Sequence, residues 1–351
     1  MQELNIPGAA VALIENGRIA TLRVYGIADK ETGAAVTPDT LFSLQSISKS
    51  IAAWGVMRLV EQGQVDLEAP IWDYVRGWRL PPSPFDEWEV TLRRLLCHYA
   101  GISTAGFPGI DPARDMPSLI DGLNGLLGPL NDEQQRYWAL WNLPTDWPVK
   151  LAYRPGEAFH YSNPGFGLLE LMIEEVTGQS FCAFIEESIL RPLGMRNSSF
   201  SVDSRRPYAK PYGIGGESVR AYRYVSKAAA GLYATIGDLA AFACAEMKGP
   251  QGESPGRDVL SPGSITAMFE SQGLADEAGG IQFEAGLGHF LLGSGDASNV
   301  HHSGGSIGWR SIYSIFPHLG AGFCMLMNSE EGNPLWLPLV REWRDRLVAR
   351  A

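Results

Sequence analysis

The chain has 351 residues, 45% of them apolar and 19% charged, and a formal net charge of −11. That length and balance give a globular protein with a large core and exclude disorder as its main state. The negative charge argues against nucleic acid or an anionic membrane as partner, and no apolar run approaches the roughly 20 residues of a membrane span.

Met1-Gln2-Glu3-Leu4-Asn5 has neither a basic start nor an apolar core of the kind a signal peptide carries, so the chain as written reads as cytoplasmic. A precursor trimmed of its leader would instead put it in the periplasm or outside the cell. Cys97, Cys182, Cys244 and Cys324 stand far apart among apolar neighbours and read as free, buried thiols.

Residues 7–25 predict a hairpin, with Asn16-Gly17 as its turn. A loop to residue 40 leads to Ser46-Ile47-Ser48-Lys49 at the start of a helix that is apolar nearly all round to Met57, with Gly63 as its C-cap. Beyond residue 60 helical patterns dominate, including an amphipathic helix over 90–98. Residues 104–150 are irregular and rich in Pro, Gly and Trp. A turn at Arg154-Pro155-Gly156-Glu157 leads to Tyr161-Ser162-Asn163, where Asn163 is a good N-cap for a helix over 165–177 closed by Gly178. A second helix is predicted over 180–190 and a third over 236–247. Strands follow at 299–303, 309–316 and 322–328, and a last helix at 335–348.

Strands at both ends with helices between predict one sheet built from residues 1–60 and 205–351, and a mainly helical region over 61–204 beside it. A site in the groove between them would draw residues from both.

Ser46 and Lys49 are three apart, on one helix face and within side-chain reach. A desolvated lysine gives up its proton more easily, and a serine beside a neutral amine is activated for attack. With six lysines and 27 serines in the chain, Ser-x-x-Lys is expected by chance about 0.5 times. Alone, the tetrapeptide reads as an N-cap serine and a snorkelling lysine. Tyr161-Ser162-Asn163 before a helix and His302-Ser303-Gly304 on a strand change that. The three in order are expected about 0.02 times by chance.

With these elements the chain resembles the penicillin-recognising serine hydrolases, which include class C β-lactamases, D-alanyl-D-alanine carboxypeptidases, D-aminopeptidases and β-lactamase-like esterases. The resemblance extends to Pro7-Gly8-Ala9-Ala10-Val11-Ala12, to Leu95-Leu96-Cys97-His98-Tyr99-Ala100-Gly101-Ile102, to Pro192-Leu193-Gly194-Met195 and to Ala230-Gly231-Leu232-Tyr233. It implies an α/β (α+β) fold of the β-lactamase/transpeptidase type, an antiparallel sheet flanked by helices with an all-helical region inserted beside it. It also implies Ser46 as acylated nucleophile, Lys49 as its proton partner and Tyr161 as general base and shuttle to the leaving group. Asn163 would hold the substrate amide, and His302 would polarise Tyr161 or meet a substrate carboxylate. Ser303, Gly304, Gly305 and Trp309 would bind substrate along the third motif, with the Ser46 and Gly305 N–H groups as oxyanion hole. His302 in place of the lysine of most β-lactamases points to the D-peptidase and esterase branches.

The expected partner is therefore a small-molecule ester, amide or peptide substrate, and sequence alone leaves the oligomeric state open. No cofactor is expected. His98, His160, His301 and His302 lack metal-site spacing. A scaffold or β-lactam sensor keeping the fold without turnover is the alternative reading. Phe107 and Trp147, in Pro/Gly-rich stretches, are expected to line the cleft, whereas Trp138 and Trp141 read first as helical core.

Overall fold

The computed structural model describes residues 4–104, 106–143, 148–203, 205–278, 281–293, 298–332, 338 and 342–343. Strands β1 (Gly8–Glu15) and β2 (Arg18–Asp29) form the expected hairpin. Asn16 and Gly17 both take positive φ (53° and 66°), the backbone a primed two-residue turn requires. After β3 (Ala34–Ala35) and β4 (Phe42–Ser43), a 3-10 turn at Gln45–Ile47 runs straight into α1 (Ser48–Glu61), with Gly63 at φ 68° just past its end. Then come α2 (Leu92–Leu96), α3 (Leu119–Leu123), α4 (Asp132–Leu140), α5 (Asn163–Thr177), α6 (Phe181–Ile185), α7 (Lys227–Ala230), β5 (Tyr233–Ala234), α8 (Ile236–Ala245) and α9 (Pro262–Met268). The chain closes with β6 (Leu274–Ala278), β7 (Ile281–Ala285), β8 (Phe290–Leu292), β9 (Asn299–Ser306), β10 (Trp309–Phe316) and β11 (Ala321–Met327).

Among the described residues nine strands make one antiparallel sheet in the order β3-β2-β1-β11-β10-β9-β8-β7-β6. The two ends of the chain meet at its middle, where Ala9 lies opposite Met327. Strands β10 and β11 are buried at every position because both faces of the sheet are covered. On one face, Trp309, Tyr313 and Ile315 join the main core with Trp54 of α1 and Phe242 of α8. On the other, Ile312, Phe323 and Met325 pack with Ile6 and Ala9. A mixed fold with a large antiparallel sheet flanked by helices is the expected one. Among the described residues no helix is long and apolar enough to cross a membrane.

Several local expectations change. Strands β6 to β8 were not foreseen, because they are short and only β7 shows a clean alternation. The helix expected over 90–98 shrinks to Leu92–Leu96: Thr91 caps its start by accepting from Arg94 N, and His98 takes φ 64°, which no helix can continue. Ser162, not Asn163, caps α5, accepting from Gly165 N at 3.0 Å, so Asn163 is helical and its side chain is free for other partners. Residues 180–190 split into α6 and a π turn over Glu186–Leu190. All four cysteines are free thiols, Cys97 and Cys324 fully buried and the other two partly so. The helix expected at 335–348 lies almost entirely outside the described residues, as does Trp147.

Candidate active site

From residue 40 to residue 57 every side chain is buried except that of Ser46. The turn that lifts Ser46 to the surface is held on all sides. Gln45 takes φ 50°, unusual for a residue with a side chain. Ser48 Oγ donates to Gln45 O (2.6 Å) and accepts from Leu232 N (3.1 Å), while Leu44 N donates to Leu232 O (2.8 Å).

One turn on, Lys49 is 0% exposed and has no carboxylate partner among the described residues. Its Nζ lies 3.1 Å from Ser46 Oγ, 2.7 Å from Asn163 Oδ1 and 2.8 Å from Ala229 O, and sits over the rings of Tyr161 (4.9 Å) and Phe166 (5.6 Å). Burial holds its pKa well below the ordinary lysine value. A neutral amine has two protons and one lone pair. The two carbonyl oxygens can only accept, so they take the protons, and the lone pair is left for the hydroxyl of Ser46.

Tyr161 is half-buried and hydrogen-bonded to Ser46, and burial pushes its pKa well above the usual phenol value. Its loop is fixed from two directions. Ser162 Oγ donates to Ser103 O (2.9 Å), and His98 Nδ1 accepts from Ser162 N (3.1 Å). Sequence spacing gave His98 no such part, because its partners are 62 and more residues away; the only sign was its place in the Leu95-to-Ile102 stretch of the resemblance. Glu170 was missed for the same reason. It is buried on α5, accepts from Ser226 Oγ (3.0 Å) and Ala228 N (2.9 Å), and so holds the α7 turn whose Ala229 carbonyl meets Lys49.

The third motif lies on β9. His302 is 1% exposed, and burial first and the nearby Lys49 second hold its pKa well below the ordinary value. Its Nδ1 lies 2.7 Å from Ser303 O, which can only accept. The ring is therefore neutral with its proton on Nδ1 and a lone pair on Nε2. In that state it offers no positive charge to a substrate carboxylate. Gly304 sits where a Cβ would strike the Leu44 carbonyl and stand 2.5 Å from Ser311 Oγ, so only glycine lets β9 approach the turn carrying Ser46. Strand β8 pairs with β9 only as far as His301, leaving the edge past His302, including Ser303 and Gly305, without a strand partner there among the described residues.

Two expectations fail on packing. Trp309 is 2% exposed, wedged between Phe42 and Tyr208, so it packs behind β9 and is not groove wall. Phe107 is likewise buried in the core, and of the α4 pair Trp138 is buried while Trp141 at its end is exposed. Trp141 covers Arg310, whose Nη1 donates to Ser306 O and Trp309 O.

The family model described as Beta-lactamase matches residues 1–346. The chain belongs to the β-lactamase family. Among its relatives, esterase EstB of Burkholderia gladioli is 30% identical over 215 residues, 61% of this chain and 52% of that protein. The chain spans about half the length of the curated relatives it matches. The octameric penicillin-binding protein homologue of Pyrococcus abyssi is 27% identical, with a TM-score of 0.73 over 94% of this chain and 71% of that one. A class C β-lactamase superposes with a TM-score of 0.70 over 94% of this chain and 88% of its own at 23% identity, a likeness of fold. The family is one of β-lactamase-like serine hydrolases.

Proposed function

We propose that this chain hydrolyses an ester or amide bond through an acyl-enzyme formed on Ser46, as a carboxylesterase or D-amino-acid amidase with only weak turnover of β-lactams. The observation that carries the reading is the buried, uncompensated Lys49 at 3.1 Å from the one solvent-reachable side chain of its segment. Burial lowers the pKa of Lys49 and raises that of Tyr161, so Lys49 in its uncharged form accepts the Ser46 proton as Oγ attacks the carbonyl carbon while Tyr161 keeps its own. Tyr161 then gives its proton to the leaving group and is refilled from Lys49. Asn163 Oδ1 anchors Lys49, and its Nδ2 remains for a substrate carbonyl. Backbone N–H groups of Ser46 and Gly305 would stabilise the oxyanion, and water completes the cycle on the acyl-enzyme. The esterase relative supports the ester half of this reading.

Intact mass after exposure to a penicillin and to an activated ester tests it. The expected outcome is one acyl adduct on Ser46 from each, cleared quickly for the ester and slowly for the penicillin. No adduct from either would leave a non-catalytic member of the family.

A further inference from the structure

His98 touches no reacting atom, yet it meets the Tyr161 loop at three points. Its carbonyl accepts from His160 N at 2.8 Å and its Nδ1 accepts from Ser162 N at 3.1 Å, so the amides on both sides of Tyr161 end on one residue. Between those two bonds its ring lies against the Tyr161 ring, with centroids 4.3 Å apart, and against Phe166 at 5.3 Å. The residue is 5% exposed and takes φ 64°, a backbone conformation that a side-chain-bearing residue holds only where its surroundings impose it. An amide N–H can bond only to an unprotonated Nδ1, so the ring is the Nε2–H tautomer. Burial holds its pKa well below the ordinary value and keeps it neutral.

From this geometry we infer that His98 is the positioning residue for Tyr161: its Nδ1 lone pair, by holding Ser162 N–H, fixes the phenol against Ser46 Oγ. The inference rests on the reading of Tyr161 as proton shuttle. A phenol displaced by a fraction of an ångström loses its hydrogen bond to Ser46 without loss of the fold, so the effect belongs in kcat.

Two substitutions separate the acceptor from the ring. Asparagine carries Oδ1 where histidine carries Nδ1 and tolerates positive φ, so His98→Asn keeps the bond and loses the stacking. His98→Phe keeps a ring and leaves Ser162 N–H without a partner. With p-nitrophenyl butyrate, His98→Phe is expected to lower kcat about 10- to 100-fold with KM changed less than about threefold, and His98→Asn to stay within about fivefold of wild type. On a Tyr161→Phe background His98→Phe should cost nothing further in kcat, whereas a purely structural role would add its loss again. Thermal midpoints of all four variants identify any that fail to fold, and the asparagine variant carries the test if the phenylalanine one does. His98→Asn as inactive as His98→Phe, or full additivity with Tyr161→Phe, overturns the assignment. Wild-type kcat in His98→Phe beside an inactive Tyr161→Phe overturns it while sparing the role of Tyr161. An active Tyr161→Phe removes the shuttle itself.

Discussion

Lys49 Nζ lies 2.7 Å from Asn163 Oδ1, a contact between residues 114 positions apart that ties the helix of the nucleophile to the helix after the tyrosine. When the amine is uncharged, Asn163 Oδ1 and Ala229 O take both of its protons, and the third neighbour, Ser46, meets a lone pair. A charged amine would donate to all three and could accept nothing. Burial thus decides the direction of the proton, and the lysine's depressed pKa follows from the same enclosure.

Ser46→Ala is expected to abolish ester hydrolysis and every covalent adduct while the thermal midpoint stays within a few degrees, since the side chain removed is the partly exposed one. Residual activity above about a hundredth of wild type takes the nucleophile's role from Ser46.

Lys49→Met and Tyr161→Phe should each lower kcat by several decades, and the double variant little more, because the two groups pass one proton. Losses that add in free energy would show two independent contributions. Activity should also fall as pH drops through the depressed pKa of Lys49, where the lone pair is filled.

Much of this was legible in the sequence. The i,i+3 spacing of Ser46 and Lys49 within an apolar helix predicts both their contact and the burial of the amine. The β-rich run 309–316 and the Asn16-Gly17 turn predict a central strand and the first hairpin of the sheet. What local pattern cannot carry is which side of an element meets which other element. Trp309 looked like groove wall beside the third motif, yet its strand turns it into the core against Phe42. His98 and Glu170 act on partners more than 50 residues away, so no periodicity marks them. Strands β6 to β8 form a meander of neighbouring hairpins, of which only β8 pairs with β9, and short segments of mixed polarity do not announce such pairing.

Gly304→Ala should cost both stability and activity. Its Cβ would press on the Leu44 backbone, which cannot turn aside as a side chain can, and so would push the nucleophile's turn away from β9. Overpacking of this kind costs about 1–3 kcal/mol. Gly237→Ala in α8 is the contrasting case, since its Cβ meets nothing closer than 3.9 Å and helix propensity favours alanine by up to ~1 kcal/mol. Calorimetry and kcat on both variants check the pair; a Gly304→Ala enzyme with wild-type midpoint and rate contradicts the packing account.

Glu170 is buried enough that its pKa rises to about 8, desolvation outweighing the two hydrogen bonds it accepts. A carboxyl group raised in the folded state stabilises the protein least when charged. Its contribution is complete below the ordinary carboxyl pKa and is lost as pH climbs through about 8. Glu170→Gln keeps the acceptor for Ser226 and Ala228 and removes the titration. The variant should match wild type near pH 5 and exceed it in thermal midpoint by a margin that grows to pH 8. Parallel curves for the two proteins across that range would show that Glu170 does not titrate there.

The substrate is the last point the geometry bears on. Beside the motifs the surface is aromatic: Phe290 packs on His302 at 5.1 Å and stacks with Tyr161 at 6.3 Å, and Phe159 closes the same cluster. The two groups suited to a free carboxylate are both buried. His302 is neutral, and Arg310 is buried under Trp141 with its Nη1 on backbone carbonyls. A substrate ending in a carboxylate would have to leave that charge desolvated and unpaired, which costs several kcal/mol against an apolar acyl group of equal size. Short-chain or aromatic esters and hydrophobic D-amino-acid amides should therefore be preferred to peptides ending in D-Ala-D-Ala. A panel of p-nitrophenyl butyrate, D-phenylalanine amide and a D-Ala-D-Ala peptide, compared by kcat/KM, checks the order. A tenfold or greater preference for the D-Ala-D-Ala peptide would reverse it and require a carboxylate anchor other than His302 or Arg310.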